Sequence, residues 1–247
     1  MTSQESTPTD GTAAPSSGTG TVITGTAPGT DPGFVTETRV FYDAVAEDYA
    51  TVFRHELEQK PLDRAVLRGF AELVLADGGG EVADLGCGPG RVAGYLASLG
   101  VSVFGLDLSR SMLAVARREN PGLRFESGSM LELTLPDASL AGVMAWYSTI
   151  HTPDERLPEL FAGFRRVLRP GGHLLLGFQV GDVPKRRENP YGHQVSLDFR
   201  RRRPDAVAAL LEEAGFEPVW RVERARALQE PTSQAALLVR RPAGPAD

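Results

Sequence analysis

Two acids and a group of glycines hold most of the chemistry legible in this sequence. In Glu81-Val-Ala-Asp84-Leu-Gly86-Cys87-Gly88-Pro-Gly90-Arg91 a short apolar run ends in a carboxylate and passes into a glycine-rich turn that opens a helix. Gly86 and Gly88 let the backbone turn sharply and approach a ligand with no side chain in the way. Asp84 can meet a ligand's ammonium group there, directly or through water. A dinucleotide site asks for G-x-G-x-x-G, so that a pyrophosphate rests on the helix N-terminus. Here the glycines fall at 86, 88 and 90, position 91 is arginine, and Asp84 would repel a pyrophosphate, which disfavours NAD or FAD. Further along, Val103-Phe-Gly-Leu106-Asp107-Leu108-Ser109 closes a second apolar run with an acid. A carboxylate in that place accepts two hydrogen bonds from ribose hydroxyls. Together the two segments describe a nucleoside ligand that carries a positive charge and no phosphate.

Strands and helices must alternate to hold these loops. Phe41, Val45, Ala46, Tyr49 and Phe53 recur at helical spacing, as do Leu62, Val66, Leu73 and Val74 after Pro61, which predicts two helices before the first strand. Strands are expected at 82–85, 101–106, 123–126, 140–147 and 173–180. Helices are expected at 90–99, after the Ser109 cap, at 153–168 and at 204–214. Pro170-Gly171-Gly172 should end the third of these helices. Runs 216–223 and 235–239 leave no room for a helix between them and should pair antiparallel. The fold class is therefore α/β: a doubly wound, mostly parallel seven-stranded sheet covered on both faces, with a C-terminal antiparallel hairpin. One domain is expected over 34–242, its first helices within 34–78. A disordered tail is expected at 1–33, rich in Thr, Ser, Gly and Pro, and a disordered end at 243–247.

Composition narrows the partners. The 247 residues are 41% hydrophobic and 23% charged, with 32 acidic against 26 basic residues, so no global attraction draws the chain to nucleic acid or an anionic membrane. No run approaches the roughly 18 apolar residues of a membrane span. The N-terminus lacks the basic and apolar regions of a secretory signal, and a cytoplasmic location is expected. The single cysteine, Cys87, excludes an internal disulfide and a cysteine-built zinc site, and no metal is expected. Nothing marks a base beside Cys87, which reads as a small packing residue.

The run Asp84-Leu-Gly-Cys-Gly-Pro-Gly, then Gly105-Leu-Asp107-Leu-Ser-Arg-Ser-Met112, then Leu168-Arg-Pro-Gly-Gly172 resembles class I S-adenosylmethionine-dependent methyltransferases. It looks most like their small-molecule branch, which includes ubiquinone-biosynthesis and bacterial natural-product enzymes, and the likeness runs from about Phe41 to the C-terminus. The resemblance implies a Rossmann-like methyltransferase fold, S-adenosyl-L-methionine as cofactor, and a small-molecule acceptor methylated on oxygen, nitrogen or carbon. It implies that Asp84, Gly86, Gly88 and Gly90 wall the methionine moiety and Asp107 holds the ribose. Leu108 and Met112 would pack on the adenine side, with Ser129 and the Met130 amide at the adenine edge. The family usually has aspartate where Ser129 stands. Trp146 would line the pocket under the sulfonium, and Tyr42 and Tyr49 would close a lid over the methionine end or act as core aromatics. Arg91 either contacts the cofactor carboxylate or starts a solvated helix face.

Methyl transfer from a sulfonium needs alignment and exclusion of water, and a base only when the acceptor must lose a proton. In Trp146-Tyr147-Ser148-Thr-Ile-His151, at the end of the fourth strand, His151 is the candidate base or acceptor hydrogen-bond donor, and its alternative is a tie between the loop and the next helix. Tyr147 and Ser148 can orient the acceptor. His193, within Asn189 to Asp198, can pair with Asp198 and present a polarised imidazole, or belong to a plain polar loop. The basic runs Lys185-Arg186-Arg187 and Arg200 to Arg203 flank that loop and leave an anionic substrate open. Two other readings stay open: non-methyl chemistry such as cyclisation or decarboxylation on the same fold, and a cofactor-binding module without turnover.

Overall fold

A computed structural model describes residues 33–227 and 230–244. The expected tail at 1–33 lies outside them except for Gly33, which opens the first helix; of the expected end, 245–247 also lie outside.

Helix α1 (Gly33–Phe53) buries Phe41, Val45, Ala46 and Ala50. A one-turn helix α2 (Glu56–Gln59) intervenes before α3 (Pro61–Ala76), whose buried face is Val66, Leu67, Phe70, Ala71 and Val74; Leu62 is exposed. Then β1 (Glu81–Leu85), α4 (Arg91–Ser98), β2 (Ser102–Asp107), α5 (Arg110–Glu119), β3 (Arg124–Ser127) and β4 (Leu140–Trp146) alternate. Helix α5 starts where Ser109 Oγ accepts from the Met112 amide, satisfying a donor left free at the helix N-terminus. Helix α6 (Leu157–Val167) buries Leu157, Leu160, Phe161, Phe164 and Val167, one stripe at helical period, with a separate 3-10 turn over Asp154–Arg156 before it. Strand β5 (Leu168–Gln179) begins directly at the end of α6. Its Pro-Gly-Gly stretch forms a bulge between the pairs Leu140–Leu168 and Gly142–His173.

The first basic run and the loop around His193, where no strand was expected, form a separate antiparallel ribbon, β6 (Lys185–Glu188) with β7 (Ser196–Phe199). All four residues of β6 are charged, so both of its faces are polar and no alternation marks the strand in sequence. Helix α7 (Pro204–Glu213), β8 (Glu217–Arg224) and β9 (Gln234–Arg240) complete the chain.

The main sheet has seven strands in the order β3-β2-β1-β4-β5-β9-β8. Neighbours among the first five run parallel, and β5–β9 and β8–β9 run antiparallel. Alternation along β1 sends Ala83 and Leu85 to the face packed by Phe161, Phe164 and Leu211, and Val82 to the face packed by Phe70 and Leu96. Asp84 shares the second face, where its carboxylate meets the start of α4. Each fully buried Leu or Phe in these layers contributes about 1.5–3 kcal/mol, which holds the strand ends at fixed positions. Strand order reverses between β1 and β4, and an open sheet binds ligands outside the carboxyl ends of its strands at such a point.

Candidate functional site

A cavity of about 1020 Å³ opens at that reversal. It is at the top of the roughly 300–1,000 Å³ range of small-molecule sites, large enough for a cofactor and a second small molecule. Asp84, Gly86, Gly88, Asp107, Leu108, Met112, Met130 and Trp146 line it from the strand ends, and Tyr42 and Tyr49 line it from α1. Tyr147, Ser148 and His151 line it from the loop after β4.

Gly86 has φ +74°, and a Cβ there would collide with Ser148. Gly88 has φ +54° with nothing within 4 Å of a built Cβ, so a side chain at that position would enter the cavity. The Gly88 amide donates to Asp107 Oδ2 at 2.8 Å and the Ser109 amide to Oδ1 at 2.9 Å. These bonds aim the Asp107 carboxylate and leave further lone pairs on both oxygens.

Asp84 is 2% exposed, and its Oδ2 has no hydrogen-bond partner among the described residues. Burial, reinforced by the neighbouring Asp107 charge, pushes its pKa up to about 7 despite the Arg91 guanidinium and the Ala93 amide. Arg91 lines the same cavity, donates from Nη2 to Glu56 at 2.8 Å, and keeps Nε and Nη1 buried without partners. An orphaned carboxylate oxygen beside orphaned guanidinium nitrogens is an arrangement that costs stability until a ligand of both signs fills it. The ammonium and carboxylate of an α-amino acid fit that pair, and the ribose diol fits Asp107. The residues present therefore fit S-adenosylmethionine.

Across the cavity, His151 is buried and makes two bonds. Its Nδ1 lies 3.0 Å from the Asp198 carbonyl and its Nε2 2.8 Å from the Tyr42 hydroxyl. A carbonyl only accepts, so Nδ1 carries the proton and Nε2 accepts from Tyr42. Burial, with the charges of Arg202 and Arg200, lowers the His151 pKa to about 4 although the Asp198 carbonyl opposes that shift. The imidazole is neutral at physiological pH. Tyr147 holds φ +57°, a backbone strain at the cavity wall, and Ser148 Oγ is buried with no partner among the described residues.

Three expected site residues stand elsewhere. Gly90 is the residue before α4, and a Cβ there would sit 2.8 Å from the Phe125 ring, so its small size serves packing. Ser129 does not line the cavity, although Gly128 and Met130 do; its Oγ accepts from the Leu131 amide at 3.2 Å, a local turn bond. His193 does not line the cavity and does not pair with Asp198: its Nε2 lies 2.8 Å from Asp48 of α1, while Asp198 accepts from Arg186. Cys87 is buried and burial raises its thiol pKa well above the ordinary value. Of the second basic run, Arg202 is buried, donating to Asp154 and to the Thr149 and Thr152 carbonyls, so it braces the His151 loop.

Sequence reasoning missed the closing wall. Glu56 and Lys60 pair at 2.5 Å, Lys60 and Glu230 at 2.7 Å, and Arg224 bridges Glu230 and Asp63. This network ties α2 and α3 to the approach to β9 beside the cavity. No motif marks it, because its members are distant in sequence and change no local pattern.

The fold and site define a doubly wound α/β domain with a nucleoside-type cavity at its switch point. Residues 82–172 match the methyltransferase domain family. A probable S-adenosylmethionine-dependent methyltransferase of Mycolicibacterium smegmatis is 35% identical over 144 residues, covering 56% of this chain and 52% of that protein. The O-methyltransferase cnsE of Penicillium expansum is 33% identical over 153 residues, covering 57% and 53%. The chain thus spans about half the length of the curated relatives it matches. Among solved structures, the DhpI-SAH complex superposes with a TM-score of 0.67 at 22% identity, over 87% of this chain and 100% of that one. The [4+2]-cyclase SpnF does so with 0.63 at 18% identity, over 85% and 97%. These two share the fold. Residues 82–172 thus carry a methyltransferase-domain match, and S-adenosylmethionine-dependent and small-molecule methyltransferases are among the proteins this chain is similar to. Among the described residues no helix is long and apolar enough to cross a membrane.

Proposed function

We propose that this chain transfers the methyl group of S-adenosylmethionine to an oxygen, nitrogen or carbon of a small molecule. The observation that carries this reading is the joint presence, in one cavity, of Asp84 Oδ2 and Arg91 Nε and Nη1, buried with no partner among the described residues, and a hydrogen-bonded Tyr42–His151 pair. When bound, the cofactor supplies an activated methyl on a sulfonium. Asp84 would hold its ammonium, Arg91 its carboxylate and Asp107 its ribose, while Leu108, Met112 and Met130 give the apolar adenine side. Trp146 and Tyr49 would exclude water from the methionine end.

On the acceptor side, the Tyr42 oxygen keeps a lone pair free after its proton is given to His151 Nε2. An acceptor O–H or N–H can donate to that oxygen. As the acceptor's proton moves to Tyr42, the Tyr42 proton moves to Nε2, leaving a neutral tyrosine and an imidazolium anchored by Asp198. The low basicity of His151 means this transfer runs together with methyl transfer and not ahead of it. Tyr147 and Ser148 would orient the acceptor, Ser148 through a hydroxyl with no partner among the described residues.

The test is label transfer. Protein incubated with methyl-labelled S-adenosylmethionine and a metabolite extract should yield a labelled product one CH₂ heavier than its precursor. The fold is shared with a [4+2]-cyclase, so this measurement separates methyl transfer from other chemistry on a bound cofactor. Cofactor bound and left intact, with no label in any product, would overturn the reading.

A further inference from the structure

Lys185, Arg187 and Tyr191 line the cavity from the β6–β7 ribbon. Strand alternation sends Lys185 and Arg187 to one face of β6, together with their partners Phe199 and Leu197 on β7. Phe199 lines the cavity and Leu197 packs against Phe41 and Val45 of α1, so this face runs along the cavity, with Lys185 and Arg187 exposed at its rim. Arg186 takes the opposite face and is spent on Asp198 at 3.1 Å and Ser196 at 2.6 Å. Lys185 and Arg187 make no ion pair among the described residues; Arg187 lies 5.1 Å over the Tyr191 ring. Of the nearby acids, Asp198 pairs with Arg186 and Asp48 with His193, and Glu188 takes the opposite face of β6 with Arg186. The acids on the other cavity walls are also accounted for: Glu56 and Glu230 are ion-paired, and Asp84 and Asp107 face the cofactor side. Two exposed cations at the rim of a partly apolar cavity, with no ion pair among the described residues, attract an anion from outside.

We infer that the methyl acceptor carries an anionic group, a carboxylate or a phosphate, which lies against Lys185 and Arg187 while its nucleophilic atom faces Tyr42 and His151. This rests on the methyl-transfer reading above and adds the substrate class to it. The ribbon selects the acceptor by charge, and the loop after β4 acts on it.

The experiment divides a metabolite extract by anion exchange before reaction and supplies methyl-labelled S-adenosylmethionine to each fraction. Label should enter the retained, anionic fraction. Phosphatase treatment of that fraction beforehand distinguishes the two anions: it abolishes labelling for a phosphate and spares it for a carboxylate. The K185Q/R187Q variant should raise the acceptor KM about tenfold or more, leaving the affinity for S-adenosylhomocysteine unchanged. Label only in the flow-through, or an unchanged KM in that variant, overturns the proposal while methyl transfer stands. Absence of label from both fractions overturns methyl transfer and this proposal with it.

Discussion

On one side of the cavity Asp84, Gly86, Gly88 and Asp107 come from two loops that follow adjacent parallel strands. On the other, Tyr42, His151, Lys185 and Arg187 come from α1, the loop after β4 and a detached ribbon. The polar groups of the first side are left waiting: Asp84 Oδ2 and Arg91 Nε and Nη1 are buried without partners. Those around His151 are already joined, from the Asp198 carbonyl through the imidazole to the Tyr42 hydroxyl. The difference teaches that ligand binding and proton handling carry opposite relations to stability here. The cofactor side stores a cost that a zwitterionic ligand removes, whereas the Tyr42–His151 pair is already hydrogen-bonded before any ligand arrives.

The strongest way to break this division is to cut the joined pair. His151→Ala and Tyr42→Phe should each lower turnover about 10²–10⁴-fold, the range of general acid–base contributions. The double variant should be little worse than either, because the two act as one unit. Calorimetry should find cofactor affinity unchanged. Normal turnover in either variant would reduce the pair to a structural tie between α1 and the β4 loop.

On the opposite wall, Asp107→Ala removes a buried charge-assisted acceptor and should weaken cofactor binding by about 1.5–3 kcal/mol. Equal affinity by calorimetry would remove the ribose assignment. Asp84→Asn sharpens the stability half of the comparison. The folded carboxyl, with a pKa of about 7, holds its proton more tightly than an unfolded aspartate at ~3.9. The folded state therefore binds more protons across that window, and stability falls as pH rises from about 4 to 7. Without ligand, the Asn variant should melt several degrees above the parent at pH 8 and beside it at pH 4, while losing cofactor affinity. A variant that melts below the parent at pH 8 would show that Asp84 is satisfied by the protein itself.

The pH profile separates the two sides again. Affinity for the cofactor should rise as pH climbs through 7 and Asp84 ionises, up to about tenfold per unit below that point. Acceptor turnover at saturating cofactor should stay flat between pH 6 and 8, since His151 titrates near 4. A turnover inflection near neutrality would place a different base in the site. The smallest effect is expected at His193→Ala. Its pairing with Asp48 is half exposed and ties the ribbon to α1, so stability should change by about 0–1 kcal/mol, with cofactor affinity unmoved.

The legible parts share a feature. The glycine loop, Asp107 and the stripe of α6 were readable because each is a pattern within one short segment. Ser109 announced the start of α5 for the same reason. Position 91 was left between two readings, and its burial beside Asp84 with two unpartnered nitrogens favours a role toward the ligand. Ser129 and His193 stand off the cavity, because residue type shows what a side chain can bond but not which neighbour reaches it first. Ser129 was taken by the Leu131 amide and His193 by Asp48.

From the chain alone came the alternating strands and helices, the sheet they build, and the two acids at the ends of β1 and β2. Hydrophobic period and turn chemistry act over a few residues, and such features are written consecutively. The tertiary structure decided that Tyr42 bonds His151 across 109 residues, that Lys185 and Arg187 of the ribbon border the cavity, and that Asp84 Oδ2 has no partner among the described residues. Those outcomes depend on burial and on the packing of distant elements, and a side chain's pKa and partners are settled only when that packing has removed water and brought the competitors for each bond into reach.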